Sequence, residues 1–144
     1  MTQAIRFDDY AAFDALAARG YAPWGEPVAI EREAVAAFQR VTGAAGDAAT
    51  IPGLMLQAML PRLTPGHDWS VTGAKGALNL GSPMIRFDPA VPSGARLQGR
   101  SKLSFARPHP KGTLMALDFE LREQGCEAPC LTSTIELLYL GEPA

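Results

Sequence analysis

Among the titratable side chains of this sequence, the candidates for moving protons in a reaction are Asp47, His67 beside Asp68, and His109. A general acid or base must be aimed at the proton it moves, so placement decides whether any of them is chemical. His67-Asp68, in TPGHDWS, has the composition of a dyad, yet adjacent residues project in different directions and nothing in the segment positions them. A surface-turn histidine is the simpler reading. His109 stands between two prolines in RPHPKG, a hairpin tip. Asp47, in AAGDAAT, can act as a base, or it can cap its own loop or the helix that follows. Cys126 and Cys130 lie in the Gly/Pro turn EQGCEAPCLT, and a metal site needs about four Cys or His ligands where the two histidines offer no ligand spacing. Reduced thiols are expected there, with a strained disulfide across the turn as the alternative. No metal and no cofactor is implied.

Other residues offer hydrogen bonds and charge. Asn79 and Ser82 flank Gly81 in NLGSPMIRF; they either donate to a ligand or satisfy backbone groups that a bulge leaves unpaired. Arg96, Arg100, Lys102, Arg107 and Lys111 concentrate positive charge along one segment, which suits phosphate groups. Asp118, Glu120 and Glu136 balance them, so a solvated sheet face is the simpler reading.

The elements that must position these residues follow from composition and period. A chain of 144 residues, 47% hydrophobic and with a net charge of -2, can build one ordinary core. It has no basic footprint for nucleic acid. No apolar run reaches the roughly 18 residues a membrane span requires, and the acidic, amphipathic N-terminus differs from a signal peptide, so a soluble, cytoplasmic protein is expected.

Alternation is plainest after residue 95. Leu97, Leu103 and Phe105 are odd-numbered apolar positions among polar even ones; Met115, Leu117, Phe119 and Leu121 repeat the arrangement, as do Leu131, Ser133, Ile135, Leu137 and Tyr139. The joining turns RPHPKG and EQGCEAP make this an antiparallel meander, with Arg100 near Asp118 or Glu120 across the first hairpin. In GALNLGSPMIRF the apolar parity flips across Gly81 to Pro83, which predicts a bulge in a further strand of the same sheet.

The helix expected over the apolar sheet face is IPGLMLQAMLPRL, about residues 51–62, with Thr50 as its cap and so little polarity that it must be wrapped on all sides. Gly53 lets its first turn press against a strand or a ligand. EREAVAAFQRVTG predicts an amphipathic helix with Val35, Phe38 and Val41 inward, stopped by Gly43, and FDDYAAFDALAARG one with Tyr10, Phe13 and Leu16 on one side, stopped by Gly20. PVAI is a short strand between them.

A long antiparallel sheet curled around a buried helix is the α+β hot-dog arrangement. The succession APWGEPVAI, VAAFQRVTG, IPGLMLQAMLPRL, ALNLGSPMIRFDPAVPSGARLQGR resembles the MaoC-like dehydratases, and within them the branch of the NodN nodulation proteins. The motifs cover about residues 22 to 105. Asn79, Gly81, Arg86, Phe87, Pro92 and Gly94 fall where that branch has its Asn, Gly, Arg-Phe and Pro-x-Gly. The resemblance implies a hot-dog domain over residues 1–144 with a helical N-terminal extension at about 7–20. It also implies an acyl thioester, on coenzyme A or an acyl carrier protein, as ligand, and a homodimer or a heteromer with another hot-dog subunit. Gly53, Asn79, Gly81, Ser82 and Arg86 are the expected substrate-side residues.

Family members are similar in using an Asp and a His, in a GDxNPxH type of loop, for hydration across a 2-enoyl double bond, while backbone N–H groups at the start of the buried helix polarise the thioester carbonyl. This sequence departs from that pattern. Aligned on VTG, the Asp position falls on Ala44 and the loop is about twenty residues short; aligned on Gly46-Asp47, the Asp survives and the His position falls on Pro52. A proline carries no transferable proton. The expectation is an acyl-thioester-binding hot-dog protein without standard hydratase activity; the alternative is an active enoyl-thioester hydratase or dehydratase with a non-standard site near Asp47 and Gly53.

Overall fold

The computed structural model describes residues 1–144. The chain runs β1 (Gln3–Arg6), α1 (Tyr10–Ala18), β2 (Val28–Ala29), α2 (Arg32–Thr42), α3 (Gly53–Ala58), α4 (Leu60–Leu63), β3 (Trp69–Thr72), β4 (Gly76–Phe87), β5 (Arg96–His109), β6 (Gly112–Glu123) and β7 (Leu131–Leu140). An antiparallel five-stranded sheet has the order β2-β5-β6-β7-β4, and β1 pairs with β3 as a separate parallel ribbon. The strand preceding the meander therefore lies beyond its last strand, at the sheet edge.

Register follows the polar alternation. Arg100 faces Glu120 and Lys102 faces Asp118 across the β5–β6 hairpin, with ion pairs of 2.7 and 3.8 Å. The bulge expected in β4 is present as register shifts between Asn79 and Gly81 and between Gly81 and Met84. A further shift between Leu103 and Phe105 was not foreseen, and it corrects the reading that these two share a face: Leu103 lies opposite Leu117, Phe105 opposite Ala116. One inserted residue reverses every side chain beyond it. The even-numbered face is not wet throughout either, because Leu114 and Leu138, cross-strand partners, are both buried.

Two helical covers divide the inner sheet face. Met55, Leu56, Leu60 and Leu63 of α3–α4 pack with Val35, Leu97, Leu121 and Leu131. Phe13 and Leu16 of α1 pack with Ile5, Leu103, Met115 and Leu117, and Phe119 touches both groups. Each such buried side chain contributes about 1.5–3 kcal/mol relative to exposure. The N-terminal helix is thus part of the core cover. Asp9 caps it, its carboxylate accepting from Ala12 N at 3.1 Å, and Gly20 follows it with a positive φ.

Three helix expectations are corrected. Val41 is 87% exposed: six residues beyond Val35, it is rotated about 240° from the inward stripe. Thr50 does not cap the central helix; residues 49–51 instead pair with 91–93, through Ile51 N to Val91 O at 2.8 Å and Ser93 N to Ala49 O at 2.9 Å, and Pro52 precedes the helix without a side-chain cap. The central segment is not wrapped on all sides. It breaks at Met59 into α3 and α4, with Pro61 near the start of α4, and Leu54 remains 67% exposed.

Two glycines seat its far end. Gly25 N donates to Gly99 O at 2.9 Å, and both residues lie beneath the Leu63 carbonyl: a Cβ at position 99 would fall 2.7 Å from that oxygen and from Thr64 Oγ1, and one at position 25 would fall 3.0 Å from the oxygen. Glycine within a strand marks such close approach. Residues 21–25 are strapped outside β5, where the Trp24 ring takes the guanidinium groups of Arg100 and Arg122, each at 4.2 Å, and Tyr21 takes the Arg100 guanidinium and the Lys102 ammonium.

Gly99→Ala is expected to lower stability by about 2 kcal/mol, because overlap with backbone atoms outweighs the roughly 0.5–1 kcal/mol that alanine gains in chain entropy. Urea denaturation reads this directly, and an equal or higher midpoint would mean that α4 can lift off the sheet.

Candidate functional site

The central segment and β4 lie side by side without closing on each other. Between them runs a groove of about 590 Å³. Its floor is apolar, from Leu60, Phe119 and Ile135; Leu54 and Ala58 line the helix side, and the polar groups are Gln57, Thr64, His67, Asn79 and Ser82. Gln57 Nε2 donates to Ser82 Oγ at 3.2 Å, and Asn79 Oδ1 accepts from Gly81 N at 2.9 Å. Asn79 thus satisfies bulge backbone and also lines the groove.

Gln57 was missed in the sequence. Its signal is that it is the lone polar side chain in an apolar segment with no charge before Arg62. His67 was placed in a surface turn, and it is exposed there, but the turn folds back along the groove. Its ring stacks on Trp69, with centroids 4.6 Å apart and planes 28° apart. Burial lowers its pKa from the ordinary histidine value, with the Asp68 charge opposing, so the neutral imidazole is favoured at neutral pH. It hydrogen-bonds to no carboxylate, and Asp68 pairs instead with Arg19 at 3.3 Å.

The other candidates lie elsewhere. Asp47 is exposed at the opposite end of the central segment, where its Oδ1 accepts from Ala49 N at 3.0 Å and its carbonyl accepts from Arg32 Nη2 at 2.7 Å. That is a turn-forming aspartate. Gly53 does press against a strand: a Cβ there would lie 3.1 Å from atoms of the Phe87 ring, so the ring covers the helix entrance. A separate cavity of about 380 Å³, lined by Thr50–Gly53, Leu56 and residues 87–91, lies at that entrance and shares no lining residue with the groove. Gly81, with φ 128°, forms the bulge. Arg86 faces Thr132 on the outer side of the sheet, makes no hydrogen bond or ion pair, and does not join the groove.

The basic strand face is largely engaged within the protein. Arg100 and Lys102 meet Glu120 and Asp118, Arg96 reaches Gln124 and the Pro27 carbonyl, and Arg107 lies on Phe105. His109 Nδ1 accepts from Lys111 N at the hairpin tip. Both cysteines are free, Cys126 exposed and Cys130 buried, and burial pushes the Cys130 thiol up to about 11.

Measured by NMR titration, the His67 midpoint is expected below that of an ordinary histidine, and Trp69→Ala is expected to raise it; a midpoint that ignores this substitution would remove the ring as the cause.

No protein-family model matches the sequence, and no curated protein matches it. Solved structures do match. A monoamine oxidase regulatory protein from Archaeoglobus fulgius is similar over 83% of this chain and 88% of its own, at 15% identity and a TM-score of 0.67. A chain of the ChsH1-ChsH2 complex from Mycobacterium tuberculosis is similar over 90% and 94%, at 10% identity and a TM-score of 0.67. A MaoC-like dehydratase from Rhodospirillum rubrum is similar over 84% and 91%, at 16% identity and a TM-score of 0.60. With an inner helical segment, an antiparallel sheet curled over it and these neighbours, the chain has the α+β hot-dog fold that its strand pattern implied.

Proposed function

We propose that this protein binds an acyl thioester, carried on coenzyme A or an acyl carrier protein, in the groove between α3–α4 and β4, and does not catalyse the standard hydration of a 2-enoyl thioester. The observation that carries this reading is the groove itself: an apolar floor under a few hydrogen-bonding side chains, beside the central segment of a hot-dog fold. The similarity to a structure described as a MaoC-like dehydratase supports the ligand class. Placement of the acid and the imidazole speaks against catalysis. Hydration needs an acid and a base on the same substrate, whereas Asp47 and His67 stand at opposite ends of the central segment and neither hydrogen-bonds to a partner that would tune it for proton transfer. The enzyme alternative near Asp47 and Gly53 has against it that the cavity at the helix entrance is lined neither by Asp47 nor by a histidine.

Beside the groove β4 leaves an open edge, with apolar side chains on both faces of the strand. Leu54, Leu78, Leu80, Met84 and Phe87 are 41 to 67% exposed, and β4 pairs only with β7. An apolar, unpaired edge of this length invites a covering partner. A second hot-dog subunit, either a copy or a related chain, is the partner proposed, and similarity to a chain from a two-component complex supports it.

Calorimetry is expected to show binding of acyl-CoA that tightens with chain length, by at most about fourfold per methylene buried. No turnover of 2-enoyl-CoA is expected, and Asp47→Ala should leave the affinity as it was. Hydration by the isolated wild-type protein would overturn the silent reading. Light scattering is expected to show a dimer, or a mixed complex when another hot-dog chain is supplied, and the Leu54→Glu/Leu80→Glu variant should abolish it; a wild-type protein that stays monomeric under both conditions would refute the proposed partner.

A further inference from the structure

Across the turn Pro65–His67 from the groove lies a second cavity, of about 490 Å³, and the residues of that turn are the only lining the two share. The end of α1, the strap and the start of β3 bound it, over Ser101 and Leu103 of β5. Both tryptophans of the chain, Trp24 and Trp69, line it, with Tyr21 and His67. These rings are held in place by the protein itself. Trp24 and Tyr21 rest on Arg100, which is fixed in turn by Glu120. Trp69 meets the buried Phe13 ring edge-on, with centroids 6.5 Å apart, and carries the His67 imidazole laid flat on it. A wall of this kind suits a planar guest, because offset or edge-on contact between rings adds to the gain from apolar burial.

The polar groups narrow the guest further. At the rim the charges are already matched, Arg19 with Asp68 at 3.3 Å and Lys102 with Asp118 at 3.8 Å. An ion entering there would lose its hydration without meeting an unpaired opposite charge. At the base, Ser101 is 3% exposed; its hydroxyl makes no hydrogen bond within the protein and, unlike those of Thr64 and Ser133, is not sealed from the cavity. A guest that displaces water from that hydroxyl must return a hydrogen bond to it. We infer that this cavity is a second binding site, for a neutral, planar aromatic molecule of one or two rings with a hydrogen-bonding group directed at Ser101. The site is distinct from the groove and does not rest on the acyl-thioester reading.

The test is an NMR titration of the full chain at pH 7 with 2-naphthol, its saturated counterpart decahydro-2-naphthol, and 2-naphthoate. 2-Naphthol is expected to bind with a Kd of about a millimolar or tighter and to shift the amide signals of Ser101, Leu103 and Trp69. The saturated alcohol is expected to bind about fivefold more weakly, for want of ring contacts, and the carboxylate about tenfold more weakly. Ser101→Ala removes a hydroxyl that bonds to nothing in the protein and is expected to weaken 2-naphthol about fivefold. His67→Ala changes only an exposed side chain and is expected to weaken it severalfold, which gives a second reading should the strand variant fail to fold. No binding of 2-naphthol, equal binding of the saturated alcohol, tighter binding of the carboxylate, or shifts centred on Gln57 and Ser82 would each overturn the inference while leaving the proposed function as it was. Unchanged affinity in both variants would overturn it too.

Discussion

The contact on which the rest of the arrangement depends is that of the Leu63 carbonyl with the backbone of Gly25 and Gly99. Helix against sheet normally leaves a layer of side chains between them; here the end of α4 comes down to the main chain itself. That fixes one end of the central segment hard against β5 and the strap beside it. The segment then passes over β6 and β7 toward Phe87, with Leu60, Leu63, Met55 and Leu56 pointing into the sheet. Because one end is pinned at β5 and the other meets β4 through Gly53 and the Gln57–Ser82 hydrogen bond, the space between α4 and β4 is left open. The groove is a consequence of where the backbone can approach most closely.

Much of this was legible in the residues. Alternation in β5, β6 and β7, the parity flip in β4 and the stops at Gly20 and Gly43 are local signals, written into neighbouring side chains, and they predicted the elements and the Arg100–Glu120 pairing. What was not legible depends on distant partners. QAIR and WSVT are each too short to announce a strand, and they become β1 and β3 only by pairing in parallel across 66 positions of sequence, Gln3 with Trp69. Leu54 reads as core by its chemistry, yet its direction is set by which side of the helix meets the sheet. The role of Gly99 is invisible without Leu63 beside it.

The site was read less well than the fold, for the same reason. Asn79 and Ser82 draw notice because a bulge disturbs the strand pattern around them and they line the groove, whereas Arg86 shares the outer face of Met84 and does not. His67 was set aside because sequence places it past the helix end; the turn at Pro65 and Gly66, packed near Gly25, brings it back along the groove. The proposed lack of a proton relay rests on residue identity: aligned on VTG the Asp position falls on Ala44, aligned on Gly46-Asp47 the His position falls on Pro52, and Asp47 sits in a turn of its own.

The single-sided pairing of β4 carries one more implication. A strand bonded along one edge only opens locally at lower free energy than one held between two neighbours. The other four strands of the sheet keep their ladders and their core contacts when it does. Until a partner covers that edge, the β4 wall of the cleft is the compliant one, and its width can change by the flexing of a single ribbon without the cooperative core having to yield.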